Sequence, residues 1–168
     1  MTCATANCTY PALTGSKYCP AHKRVARQEW VKRVREGEIA RAEREIKWAN
    51  LYARAHSAGL EAAEQCIPAV MVVQEHENMM DDASPVKQQW AVPEGVCGFA
   101  WVTITPGNCS FALWLKKHHN ASKGYHGGME LWVSDFGQSY ERKTAYAGAF
   151  ARVVSEAGVK AYAGGRLD

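Results

Sequence analysis

The sequence predicts an α+β fold: a small cysteine-rich knuckle at the N-terminus, a long basic and amphipathic helix, then a β-sheet covered by helices in the order β-β-β-α-β-α-β. Three observations carry this reading. Residues 1–22 are rich in Thr, Ala, Pro and Gly and lack apolar periodicity, so they cannot fold by hydrophobic burial and need another staple. Residues 23–60 are dense in Ala, Glu, Arg and Lys, which are strong helix formers. From residue 67 onward, short β-branched or aromatic runs alternate with helical patterns. With 168 residues, 47% hydrophobic and 22% charged, the chain has the composition of a folded protein and not of a disordered one.

Within the helical region, Ile39, Ala42, Ile46, Ala49, Ala53 and Leu60 recur at spacings of three, four or seven and mark an apolar stripe that faces a core or a partner. Gly37 predicts a kink or break near 36–38, and Gly59 predicts the end of the helix. Residues 67–73 read as a strand followed by a polar loop at 75–88, with further strands at 89–92 and 97–105. In the last of these, Phe99, Trp101 and Thr103 face one side and Ala100, Val102 and Ile104 the other. Both sides are largely apolar, which makes this a central strand. Pro106-Gly107 turns the chain, and Asn108 caps a helix over 110–119. Residues 129–136 return as a strand, Ser139 caps a second helix that Gly158 stops, and 159–163 close the sheet.

Cys3-x4-Cys8-x10-Cys19-x2-His22 brings three thiols and one imidazole into the coreless segment, a full tetrahedral shell for one zinc ion. With all four positions filled by protein, no water remains to be activated, so this Zn2+ is expected to be structural. The chain therefore divides into a zinc finger at 1–24, a helical arm at 25–63 and an α+β domain at 64–168. Cys66, Cys97 and Cys109 have no ligand-like spacing and read as core. No basic region followed by an apolar run opens the chain, and six cysteines without an export signal point to a reducing, cytoplasmic compartment. No apolar run approaches the ~20 residues that a membrane helix needs.

Charge is uneven. Between residues 23 and 47 there are nine Lys/Arg against five Asp/Glu, a net of +4 in a chain whose total is +3. Lys23, Arg24, Arg27, Lys32, Arg33 and Arg35 follow the finger directly, a footprint for nucleic-acid phosphates. The interleaved Glu29, Glu36, Glu38, Glu43 and Glu45 allow the alternative of a solvated helix laced with intrahelical ion pairs. A second candidate is the helix start with Ser139, Arg142 and Lys143, whose N–H groups and cations suit an anion. His118, His119 and His126 share one loop and are the candidates for a hydrolase or nuclease site with Asp135 or Glu130. No phosphate-loop, dinucleotide, nucleophile-elbow or zinc-protease motif is present, and no catalytic residue is assigned.

The spacing of the finger, with Tyr18 before Cys19 and Lys23-Arg24 after His22, resembles short Cys-Cys-Cys-His fingers of phage-encoded and nuclease-associated proteins. Those fingers often touch nucleic acid. Glu94-Gly95-Val96-Cys97-Gly98-Phe99-Ala100-Trp101-Val102, with Gly127-Gly128, Gln138-Ser139 and Arg166-Leu167-Asp168, resembles an uncharacterised family of small tailed-bacteriophage proteins over about residues 55–168. The resemblance implies host cytoplasm and transfers no catalytic residue. The function expected is an accessory protein that binds nucleic acid through finger and basic helix. The alternative is a non-enzymatic inhibitor or adaptor that grips a host protein through Trp30, Trp48 and the helix stripe.

Overall fold

Strong helix formers run unbroken from the end of the knuckle, and the computed structural model, which describes residues 1–168, shows a single helix α1 over Pro20–Gln65. Strands β1 (Met71–His76), β2 (Val86–Val92) and β3 (Gly98–Ile104) follow. Helix α2 (Ser110–His118), strands β4 (Ser122–Lys123) and β5 (Met129–Trp132), helix α3 (Tyr140–Glu156) and strand β6 (Ala161–Leu167) complete the chain. This is an α+β fold. The residues gather into two units, Met1–Ile46 and Lys47–Asp168.

In the first unit, Pro20 opens α1 at a position where its missing N–H is no loss. Ahead of it, residues 1–19 are held by turns and a short bridge between Thr2 and Pro11. Asn7 and Gly15 take positive φ to make the reversals. From Lys23 to Ile46 almost every α1 side chain is exposed.

The second unit contains the hydrophobic core. β3 is the central strand of a four-stranded antiparallel sheet ordered β4-β5-β3-β6, with Trp101 opposite Trp132 and Gly164, and Val102 opposite Leu131 and Ala163. Ala100, Val102 and Ile104 are fully buried with Phe111 and Leu115 of α2 and Phe150 and Val154 of α3. Each of the larger side chains contributes roughly 1.5–3 kcal/mol by leaving water. β1 and β2 form a separate antiparallel hairpin with a bulge at Glu75/His76, and the expected loop at 75–88 shortens to the hairpin connection.

Several expectations are corrected. Gly37 does not break α1, because one glycine costs only about 1 kcal/mol relative to alanine and its neighbours favour the helix. Gly59 does not end it. There the absent Cβ admits α3: a methyl at Gly59 would lie 2.6 Å from the Tyr146 ring. The apolar stripe is also displaced, with Ile39 and Ile46 53% and 61% exposed. The residues that α1 buries are Leu51, Ala55, Gly59 and Ala63, four apart, with Trp48, Tyr52 and Leu60 packed beside them. Alanine is the cause, since its small side chain marks either face of a helix equally well. Asn108 does not cap α2, whose N-cap is Cys109, and Cys97 is exposed and not core.

The two glycines of α1 predict opposite effects in urea unfolding. Gly59→Ala drives a methyl into the Tyr146 ring and lowers stability by about 1–3 kcal/mol. Gly37→Ala meets open space within a regular helix and raises stability by up to about 1 kcal/mol.

Candidate metal centre

Cys3 and Cys19 are the buried residues of the first nineteen, so the interior of this segment is sulfur and not hydrocarbon. Cys3 follows the Thr2–Pro11 bridge, Cys8 follows the positive-φ Asn7, and Cys19 and His22 bracket the first turn of α1. The donor atoms of Cys3, Cys8, Cys19 and His22 all lie within 4.8 Å of one another, close enough to bind one metal ion. His22 Nδ1 stands 3.4 Å from Cys3 Sγ and 3.3 Å from Cys19 Sγ, and the sulfurs of Cys8 and Cys19 are 3.9 Å apart. None of the cysteines is in a disulfide.

Electrostatics divide the thiols. At Cys3, desolvation favours the neutral form, but the N–H groups of Cys19 and Thr5, the Thr5 hydroxyl and His22 outweigh it and hold the thiol at about 5. The Cys19 N–H donates to Cys3 Sγ at 3.4 Å. Cys8 moves the other way: the Tyr10 N–H favours its thiolate, yet desolvation and the sulfurs of Cys3 and Cys19 together raise it. The sulfurs of Cys3 and Cys19 thus oppose the ionisation of Cys8, and a divalent cation among the three would remove that opposition.

The six cations after the knuckle are all exposed. Arg27, Gln28, Val31, Lys32 and Arg35 line one shallow groove on α1. At 100° per residue Arg24 and Glu38 share that side of the helix, while Glu29 turns away from it. Lys32 makes a 3.9 Å ion pair with Glu36 in which both side chains are largely in water. Lys23 and Arg33 lie outside the groove.

Ser139, Arg142 and Lys143 do not form the expected open anion site. Arg142 donates to Glu94 Oε2 and to the Ala63 carbonyl, both at 2.8 Å. Lys143 is buried and donates to the Gly98 carbonyl at 3.2 Å. Ser139 occupies the N-cap of α3 but makes no capping bond, and its buried hydroxyl has no partner. The cations at this helix start tie segments of the fold together instead of facing a ligand.

The three loop histidines separate as well. His118 packs on Trp114 with centroids 4.9 Å apart, and His126 meets Tyr125 edge-on in an exposed loop. His119 stacks on Tyr52 at 3.6 Å and joins a cleft of about 130 Å³ lined by Tyr52, His56, Trp132, Asp135 and Tyr146. In that cleft His56 Nδ1 is 2.6 Å from the Tyr146 hydroxyl. Burial, aided by Tyr52 and Asp135, keeps Tyr146 a phenol. Burial, with His118 and His56 nearby, lowers His119, and burial with Asp135 raises Tyr52. Sequence reasoning missed this constellation. Tyr52 and His56 are one helical turn apart, but Tyr146 and Asp135 reach them only through the tertiary fold.

No protein-family model, curated protein or solved structure matches the chain. No helix is long and apolar enough to cross a membrane.

Elemental analysis of protein purified under reducing conditions is expected to find one metal ion per chain, falling close to zero in Cys19→Ser. Chelation should speed hydrogen exchange at the amides of Cys3 and Ala4, which are bonded to Tyr10 and Lys17, and leave β3 protected. For His119, the folded state holds its proton less tightly than the unfolded chain does, so acid favours unfolding. The urea midpoint should fall as pH drops through about 6.5, and His119→Phe, which keeps a ring on Tyr52, should flatten that part of the curve.

Proposed function

We propose that this chain is a zinc-binding accessory protein that contacts nucleic acid through the metal knuckle and the basic opening of α1. Three thiols and one imidazole are the donor set of a closed structural zinc site. Zinc bonds of about 2.3 Å to sulfur and about 2.0 Å to nitrogen set tetrahedral edges of about 3.8 and about 3.5 Å. The separations of 3.9, 3.4 and 3.3 Å match those edges. Soft thiolate ligands also disfavour magnesium and calcium, which take oxygen. The ion's role is to fold the segment, because the four protein donors complete the shell.

The observation that carries the nucleic-acid reading is the groove on α1, where Arg27, Lys32 and Arg35 gather around Val31. Clustered cations meet phosphates, and the acids that temper this cluster are Glu36, paired with Lys32, and Glu38, on the same side by the helical count. Thiol ligands of this kind persist in a reducing compartment, so we place the protein in a cytoplasm, that of a host cell under the phage resemblance. The adaptor reading has lost one of its anchors. Trp48 donates to Ser110 Oγ at 3.0 Å and packs on Phe111, although Trp30 remains 58% exposed.

The test is the salt dependence of binding to a short mixed-sequence DNA duplex. Affinity should fall steeply between about 50 and about 200 mM salt. The double variant Arg27→Glu/Arg35→Glu should weaken binding at least tenfold at low salt and flatten the log–log slope by about 2. Binding that ignores salt, or that the double variant leaves intact, would refute the proposal.

A further inference from the structure

The four-stranded sheet buries one face under helices and turns the other outward at Phe99 and Trp101, while Thr103 on that same face is buried beside Gly128. Alternation along β3 places Ala100, Val102 and Ile104 inward and Phe99 and Trp101 outward. Register then assigns the outward neighbours: Trp132 on β5 opposite Trp101, Tyr162 on β6 opposite Thr103, and Arg166 on β6 opposite Phe99. The rings of Phe99, Trp101 and Trp132 form a continuous group. Trp101 and Trp132 stack at 5.0 Å and 30°, Phe99 meets Trp132 at 6.1 Å, and the Arg166 guanidinium lies 5.4 Å from the centre of Phe99.

Two features distinguish this face from an ordinary cross-strand pair. Trp132 and Tyr162 leave 46% and 47% of their surface in water, in a domain that buries Phe111 and Phe150 completely. A cross-strand aromatic pair stabilises a sheet mainly by covering its rings, so rings left this open do not contribute their full burial. In addition, β6 has no side chain where Trp101 crosses it: a Cβ on Gly164 would lie 2.6 Å from the indole Nε1. The strand gives up a side chain so that the indole can lie down on its backbone.

We propose that this outward face is a stacking platform for the unpaired bases of single-stranded nucleic acid. Such a strand is the occupant whose chemistry complements both halves of the surface. Its bases present flat π faces to Trp132, Trp101 and Tyr162, and its phosphates carry the charge that Arg166 meets at the Phe99 end. Paired bases in a duplex hide those faces, so the platform selects single strands. Glu130, on the outward side next to Gly124, marks the opposite end, where a phosphate would be repelled. The inference gives a substrate class to the nucleic-acid reading, yet it rests on β3, β5 and β6 alone. The α1 groove and the platform can therefore fail separately.

The test uses the full, metal-loaded chain and a fluorescein-labelled dT12, with a 12-base-pair duplex as comparison, in anisotropy titrations and by quenching of tryptophan emission. The platform predicts that dT12 binds and quenches, and that binding outlasts salt which removes the duplex. Trp132→Ala and, separately, Tyr162→Ala should each weaken dT12 by about tenfold while leaving the duplex unaffected. Trp30→Ala serves as the control and should change neither. Circular dichroism and the urea midpoint show whether each variant is folded, and Tyr162→Ala, at the edge strand, stands in if Trp132→Ala is not.

Failure of dT12 to bind or quench overturns the platform, as does full dT12 affinity in both folded variants. Loss of dT12 binding only in Arg27→Glu/Arg35→Glu overturns it too and leaves the α1 reading standing. A concentration-dependent self-association in sedimentation that Trp132→Ala abolishes would assign the face to a second copy of the chain instead. Duplex binding lost while dT12 stacking persists would overturn the α1 reading and support the platform.

Discussion

Convergence of four soft donors on one point is the constraint that gives the first nineteen residues a shape. Their buried side chains are two cysteines, and their backbone hydrogen bonds join turns without a regular ladder. Nothing in this segment draws on the hydrophobic effect at the scale of the second unit, where Phe111, Leu115, Phe150, Val154 and β3 share one interior. Four donors close enough to bind one metal ion thus stand where a hydrophobic core would otherwise be. Their convergence also fixes the first turn of α1, because Cys19 and His22 belong both to the donor set and to the helix start.

Polar chemistry in the second unit follows a different logic. Arg142, Lys143 and Glu94 are used as ties between segments, with carbonyls of Ala63 and Gly98 as acceptors. Such bonds satisfy backbone groups that the helix end and strand start would otherwise leave open. The orphaned hydroxyl of Ser139, in the same neighbourhood, shows that the satisfaction is incomplete. The aromatic residues behave similarly, some filling the interior and others lining the cleft of Tyr52, His56, His119 and Tyr146.

What was legible in the sequence sorts by range. The donor set was legible because its spacing is short and chemically distinctive, and the central place of β3 because both of its faces are apolar. The order of elements followed from periodicity and turn residues. The buried face of α1 was not legible, since alanines at 42, 49 and 53 imitate a stripe while glycine at 59 conceals a contact. Arg142 and Lys143 read as ligand-facing because their partners, Glu94, Ala63 and Gly98, are some forty to eighty positions away. The His56–Tyr146 bond, across ninety positions, lies beyond any local pattern.

The last strand contributes backbone more than side chains. Gly164 yields to Trp101 on one face, and Gly165, where a Cβ would crowd Tyr140 and Thr144, yields to α3 on the other. By composition 163–165 looks like a linker, yet it completes the ladder along all seven residues of β3. Loss of that strand would turn the middle of the sheet into a bare margin, with a row of open N–H and C=O groups beside an apolar surface. Margins of that kind recruit other chains. β6, itself the edge of the sheet, thus moves the open margin from an apolar strand to a glycine-rich one.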